Sequence, residues 1–279
     1  MNYKHLYHAG NFSDVFKHLV ILSLIEFMKK KDKPFCYIET HAGAGRYDLT
    51  SKEAEKTKEY KNGVLKLIDL DLNTKEKKPK IIKKYIDFIQ KQGFPPYYPG
   101  SPLIAESALR PVDRMILMEL HTAELETLKN LFYGNKQAAI HHQDGYLGLK
   151  AFLPPKERRG LILIDPPFEK PSEWEDLIKY LTIAYQRFPM GVYAIWYPLK
   201  DKAAVYTFQQ ALKKLDNAET IISEMTIYPE DIQTGLIGCG MAIINPPWQW
   251  AETFSSVLPW LWKVLSINQQ GSYRIRRNR

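Results

Sequence analysis

Cysteine is nearly absent. The 279 residues hold only Cys36 and Cys239, each inside an apolar run ("FCYIE" and "IGCGMAII"). So few thiols argue against a disulfide framework and leave no zinc-type Cys/His spacing, so two buried free thiols in a reducing compartment are expected. Long apolar runs are lacking too. None approaches the roughly 20 residues that span a bilayer. The N-terminal stretch "MNYKHLYHAGNFSDVFKH" has no apolar core of export-signal length. These absences predict a cytoplasmic protein without a membrane span or a metal. No internal repeat and no long low-complexity linker interrupts the chain, which leaves no sign of a repeat array.

What is present fits an enzyme-sized α/β unit. Hydrophobic residues make up 45% of the chain, enough for a sizeable core. Lys and Arg (39) outnumber Asp and Glu (31), giving a net charge of +8. That excess favours a polyanionic partner without requiring one.

Hydrophobic periodicity divides the chain into alternating elements. Residues 13–29 read as a helix capped by Ser13 or Asp14, and 34–40 as a buried strand running into the small-residue turn "HAGAGRY". The lysine-rich interval of about 49–95 carries the apolar spacing of two or three amphipathic helices. Strands follow at 114–120, 138–144, 160–167 and 191–198, separated by helices at 122–132, 146–153, 172–188 and 202–215. Two consecutive strands, "ETIISEMTIYP" and "GCGMAIINPP", precede a last helix over 250–265. Alternation predicts a parallel sheet covered on both faces, with an antiparallel pair at one edge. Seven strands in that order make a Rossmann-like class I S-adenosylmethionine-dependent methyltransferase the expected fold, an analogy of architecture. The interval 49–95 is too long for an ordinary connection and reads as a helical insertion in a single domain over 1–279.

In open α/β sheets, ligands bind beyond the carboxyl ends of the strands. The first strand ends in Glu39, His41, Gly43 and Gly45, where glycines admit a close backbone approach. Its A-G-A-G-R-Y spacing departs from the dinucleotide G-x-G-x-x-G pattern. The next strand ends in Glu119, an acid suited to ribose hydroxyls, and the third in Asp144-Gly145, which suits an adenine amino group and equally an Asx turn. The fourth ends in "IDPPF". The pattern [D/N/S]-P-P-[Y/F/W] at this place is the signature of amino-group methyltransferases. An exocyclic adenine amine is a poor nucleophile because its lone pair is delocalised into the ring. Asp165 and the Pro166 carbonyl can each accept an N–H and favour a more tetrahedral nitrogen. The double proline fixes the turn and supplies no donors of its own, and Phe168 can stack on the base. A second match, "NPPW" at 245–248, follows the last strand at the antiparallel edge. Topology therefore favours Asp165 over Asn245.

Taken together, "YHAGNFSDVFKH", "ETHAGAGRYDL", "YYPGSPLIA", "GLILIDPPF", "YAIWYP" and "INPPW" resemble the bacterial 23S ribosomal RNA adenine-N6-methyltransferases of the RlmJ type over nearly the whole chain. The resemblance implies S-adenosylmethionine as cofactor, 23S rRNA as substrate and partner, and a methyltransferase core with a small helical insertion. It implies Asp165 as the catalytic residue, at a corner shared with Pro166 and Phe168. His18, His41, Gly43, Ser101, Glu119, Asp144, Gly145 and Asp165 are implied around the cofactor. Tyr3, His5 and Lys17 are implied near the target nucleotide, with Lys17 also shaping the catalytic corner. The family's usual corner is D-P-P-Y, where this chain has Phe168. A monomer is the expected state. His18 could equally be a core histidine, and the terminal "RIRRNR" a flexible tail touching phosphates or simply a tail. The alternative functions are a DNA adenine-N6 methyltransferase and a non-catalytic RNA-binding or ribosome assembly factor.

Overall fold

The computed structural model describes residues 4–73, 77–229 and 236–278. In chain order the strands are β1 (Cys36–Glu39), β2 (Arg46–Asp48), β3 (Tyr97–Pro99), β4 (Arg114–Glu119), β5 (Ala138–His142), β6 (Gly160–Ile164), β7 (Val192–Pro198), β8 (Thr220–Thr226), β9 (Gly238–Ile244) and β10 (Ser272–Arg277). The helices are α1 (Phe12–Met28), α2 (Lys52–Thr57), α3 (Val64–Asn73), α4 (Lys80–Lys91), α5 (Ser101–Ala108), α6 (Thr122–Leu131), α7 (Gly145–Phe152), α8 (Glu173–Arg187), α9 (Lys202–Lys213), α10 (Trp250–Phe254) and α11 (Leu258–Leu265).

Eight strands form one sheet in the order β10-β8-β9-β7-β6-β1-β4-β5, and β2 pairs with β3 in a separate two-stranded sheet. The β5-β4-β1-β6-β7 run is parallel, and β9, β8 and β10 join it antiparallel. Side-chain alternation explains why both faces are covered. On β1, β4 and β6, Tyr37, Met115, Leu117, Leu161 and Leu163 enter one apolar layer with α1, α3, α4 and α5. Ile38, Ile116, Met118, Ile162 and Ile164 enter the other, with α7, α8 and α9. Helix α1 is buried nearly throughout and packs against α4, α5 and α10. Both cysteines are buried free thiols, and burial pushes each up to about 12.

The structure corrects the sequence reading in three places. The sheet has eight strands, because the terminal stretch read as a tail is β10, paired with β8 from Ser272↔Thr226 to Arg277↔Ile221. Its arginines are occupied: Arg274 bonds Glu224, Arg276 donates to Gln209 Oε1 at 2.7 Å, and Arg277 pairs with Glu219 at 3.5 Å. The cap of α1 is Asn11, whose side chain accepts from the Asp14 N–H at 2.9 Å, which releases Asp14 for other work. The last helix is two, since Pro259 lacks an N–H and is accommodated in the first turn of α11. The interval 49–95 contains α2, α3 and α4, and Ile82, Tyr85, Ile86 and Ile89 of α4 join the same apolar layer as α1. Among the described residues, no helix is long and apolar enough to cross a membrane.

Candidate active site

Chain order reverses on either side of β1: β4 and β5 lie to one side, β6 and β7 to the other. The loops at the carboxyl ends of these strands open into a cavity of about 570 Å³, a size typical of small-molecule sites. It is bordered by Lys17, His18, His41, Gly43, Ser101, Glu119, Asp144, Gly145, Asp165, Pro166 and Phe168, together with His5. Tyr3 lies outside the described residues. Asn245 does not border this cavity. Ile244 pairs with Tyr193 near the start of β7, so the Asn245 corner is at the opposite end of the sheet. There Asn245 donates to the Pro189 and Gly191 carbonyls at 2.7 and 2.9 Å.

The β1 turn is shaped for close approach. Gly43 has φ +59°, and its N–H donates to Glu119 Oε2 at 2.8 Å. Glu119 Oε1 accepts from the His121 N–H at 2.6 Å, so two backbone donors hold this buried carboxylate still. Asp144 caps α7, accepting the Leu147 N–H at 3.0 Å. A Cβ on Gly145 would sit 2.1 Å from the Thr40 carbonyl oxygen, so glycine there lets α7 start against the end of β1. His41 accepts or donates at Nδ1 to Thr40 Oγ1 at 2.8 Å and meets Tyr146 edge-on at 5.4 Å. Burial lowers its pKa.

A second group of residues stands behind α1 and α5. His18 is 1% exposed, and its Nδ1 lies 3.1 and 3.3 Å from the Tyr98 and Tyr85 hydroxyls. Burial lowers its pKa to about 3, so it is a neutral imidazole. It is thus both a core histidine and part of the cavity wall. Ser101 donates to Glu39 Oε1, and the Tyr37 hydroxyl donates to Glu39 Oε2 at 2.8 Å. Burial raises the Glu39 carboxyl to about 8 against those two hydrogen bonds and the Lys17 charge. Glu39 therefore keeps its proton at neutral pH.

The Asp165 corner is built from both ends of the chain. Lys17 donates to Asp165 Oδ2 at 2.6 Å and to Asp14 Oδ1 at 3.0 Å. Asp14 Oδ2 accepts the Gly10 N–H at 3.0 Å and lies 2.9 Å from His5 Nε2. Burial works against both charges. The Asp14 and Asp165 carboxylates nevertheless hold the Lys17 ammonium well above the usual lysine range, and His5 with Lys17 hold Asp14 well below the carboxylate range. Phe168 adopts φ +48°, rare for a bulky residue. Its ring is fixed against Trp174 (4.6 Å) and Trp196 (5.8 Å), and Trp196 donates to Ser13 Oγ at 2.8 Å. The neighbouring rings thus hold Phe168 in a backbone conformation that bulky residues rarely adopt, at the corner of the cavity.

Sequence reasoning missed Asp14, Trp174, Trp196, Tyr146 and Tyr180, all of which border the cavity. Only Asp14 left a readable signal: it stands three residues before Lys17, one helical turn away on the same face. Among the described residues, no cluster of His, Cys, Asp and Glu could hold a metal ion.

Comparisons with known proteins agree with one another. A profile of the family described as "Ribosomal RNA large subunit methyltransferase D, RlmJ" matches residues 32–277. The Haemophilus influenzae protein named "Ribosomal RNA large subunit methyltransferase J" is 39% identical over 280 residues, 99% of this chain and 98% of its own. The Escherichia coli K12 protein of the same name is 39% identical over 264 residues, 94% of this chain and 92% of its own. A crystal structure of a Legionella pneumophila protein superimposes with a TM-score of 0.88 at 37% identity, over 96% of this chain and 98% of that one.

Proposed function

The chain belongs to the RlmJ family of ribosomal RNA large subunit methyltransferases, and from that premise we propose that it methylates the N6 amine of one adenine in 23S rRNA, with S-adenosylmethionine as donor. The observation that carries this reading is the placement of Asp165, Pro166 and Phe168 in one cavity with Glu119 and Asp144, at the ends of three strands of a sheet whose order reverses there. We further propose that the whole chain is one methyltransferase domain with α2–α4 as its helical insertion, acting as a monomer in the cytoplasm.

The residues present fit the cofactor. Glu119 is immobilised by two backbone donors with lone pairs left for ribose hydroxyls. Asp144 uses one oxygen as a helix cap, and the other is available to an adenine amino group. Gly43 keeps the β1 turn low, and His41, Ser101 and the neutral His18 provide polar groups for the amino-acid end. S-adenosylmethionine, when bound, supplies a methyl group on a cationic sulfur. Catalysis by the chain is then alignment and electrostatics. Asp165 and the Pro166 carbonyl accept the two N–H bonds of the target amine, turning its lone pair out of the ring plane. With the lone pair so aimed, Asp165 and the Pro166 carbonyl would also stabilise the positive charge that the amine nitrogen gains until it releases its surplus proton. Phe168 stacks on the extruded base, as single-stranded or flipped nucleotides require. His5 borders the cavity where the target nucleotide would enter, and the family resemblance assigns Tyr3 to the same nucleotide. Lys170 and Lys200, exposed at the cavity rim, suit the flanking phosphates.

The test is methyl transfer by Asp165→Ala to unmodified 23S rRNA. Turnover is expected to vanish while folding and cofactor binding persist; near-normal turnover would refute the assignment of this corner. Unmethylated DNA in parallel decides against or for the DNA alternative. Absence of S-adenosylmethionine binding in calorimetry would favour the non-catalytic reading. Mapping N6-methyladenine in 23S rRNA from cells lacking the protein identifies the target, expected as the loss of one modified adenine.

A further inference from the structure

Asp165 presents a difficulty if Lys17 is its only ionic partner. A carboxylate neutralised by an ammonium at 2.6 Å has little field left for an amine that becomes positive as it is methylated. The structure supplies the missing charge. Asp14, 3% exposed, lies on the other side of the same ammonium at 3.0 Å. Two carboxylates flank one ammonium, so the Lys17 charge is shared between Asp14 and Asp165 with His5 against the far oxygen of Asp14, and Asp165 is the most exposed of the three along this line.

We propose that Asp14 is a positioning residue for methyl transfer: its carboxylate offsets the Lys17 charge, so that Asp165 keeps its negative charge for the target amine, and it holds His5 in the same register. This rests on the function proposed above. Asp14 is suited to the task by its bonding. Oδ1 takes Lys17, while Oδ2 takes the Gly10 N–H and His5, leaving it no freedom to turn. A proton relay along His5, Asp14, Lys17 and Asp165 is disfavoured by the same geometry. It would require Lys17 to surrender a proton to Asp14, and the charges of their ion-pair partners hold both groups in their charged forms against the cost of burial. The line of charges is a fixed brace. The other groups facing Lys17 are Glu39 at the end of β1, His18 on α1, Tyr85 on α4 and Cys239 on β9. Glu39 is protonated, His18 is neutral, and the phenol and thiol are uncharged, so Asp14 and Asp165 carry the compensation.

The test is Asp14→Asn, which keeps the shape and removes the charge. Calorimetry with S-adenosylmethionine, a cation, and S-adenosylhomocysteine, its neutral product, reads the field at the corner without turnover. The variant is expected to weaken the cation by about threefold to tenfold relative to the neutral product. Its kcat should fall by about tenfold to a hundredfold while KM for RNA changes little. An unchanged affinity ratio, or a kcat equal to that of the parent, overturns the proposal. If the parent itself binds neither compound, the cofactor reading fails instead. Should Asp14→Asn not fold, His5→Gln and Lys17→Arg, singly and together, take its place. Sharing one carboxylate makes their effects on kcat non-additive, and strict additivity overturns the proposal.

Discussion

Lys17 and Asp165 are 148 residues apart in the chain, and 2.6 Å separates the ammonium nitrogen from the carboxylate oxygen. One belongs to the first helix, the other to the turn after β6. Their side chains are 6% and 15% exposed, so the pair links the N-terminal segment to the Asp165–Phe168 corner in a setting where charge is costly to strand.

Lys17→Met is accordingly expected to be a stability variant as well as an inactive one. It removes the ammonium between two carboxylates, Asp14 and Asp165, at a cost of about 3–5 kcal/mol. Thermal unfolding should show a fall of several degrees, and methyl transfer should be lost. A variant as stable as the parent would contradict this account of the brace.

Phe168 separates ring chemistry from hydroxyl chemistry. Its φ of +48° and its contacts with Trp174 and Trp196 fix the ring rather than any polar atom. Phe168→Tyr should leave turnover within a small factor of the parent, whereas Phe168→Ala should raise KM for RNA about tenfold or more by losing base stacking. Equal effects of the two changes would remove the stacking role.

Glu39 gives a pH signature. Burial raises its carboxyl from the ordinary 4.5 to about 8 in the folded protein. Between those values the folded chain holds a proton that the unfolded chain releases, so this group's contribution is full at low pH and is lost as pH rises through about 8. Glu39→Gln removes that loss. The melting temperature of the variant relative to the parent should rise from about pH 5 to about pH 8 and level off above, as read by calorimetric scans. A pH-independent difference would show that Glu39 titrates normally.

Asn245→Ala tests the other proline corner. Asn245 has φ +51° and holds two carbonyls of the loop before β7. Its loss should cost about 1–2 kcal/mol in denaturant titration, with cofactor affinity and turnover unaltered. A turnover defect in a stably folded variant would reopen the choice between the two corners.

Much of this was readable in advance, for identifiable reasons. Strand β6 announced itself by a buried apolar run stopped by two prolines, and alternation of strands and helices set the parallel sheet. That same order separated Asp165 from Asn245, because a strand's carboxyl end is known once its direction is known. Glu119, Asp144 and Gly145 followed from their positions at strand ends. The eighth strand did not follow, since "SYRIRR" has too much charge to look like sheet until Glu224, Glu219 and Gln209 are beside it. The cap of α1 was misjudged because Asn11, Ser13 and Asp14 are all capping residues, and only the backbone path selects among them.

By itself, then, the sequence determined what depends on neighbours a few residues away: helix and strand periods, the rigid Asp165-Pro166-Pro167 turn, the glycine at Gly43, and the family pattern those pieces compose. Tertiary structure decided what depends on distant segments meeting. Asp14 became a counter-charge only when Lys17 reached Asp165, His18 became neutral only when Tyr85 and Tyr98 closed over it, and Glu39 kept its proton only once burial removed water. Charge, burial and hydrogen bonding are properties of surroundings, and those surroundings exist only after the chain has folded.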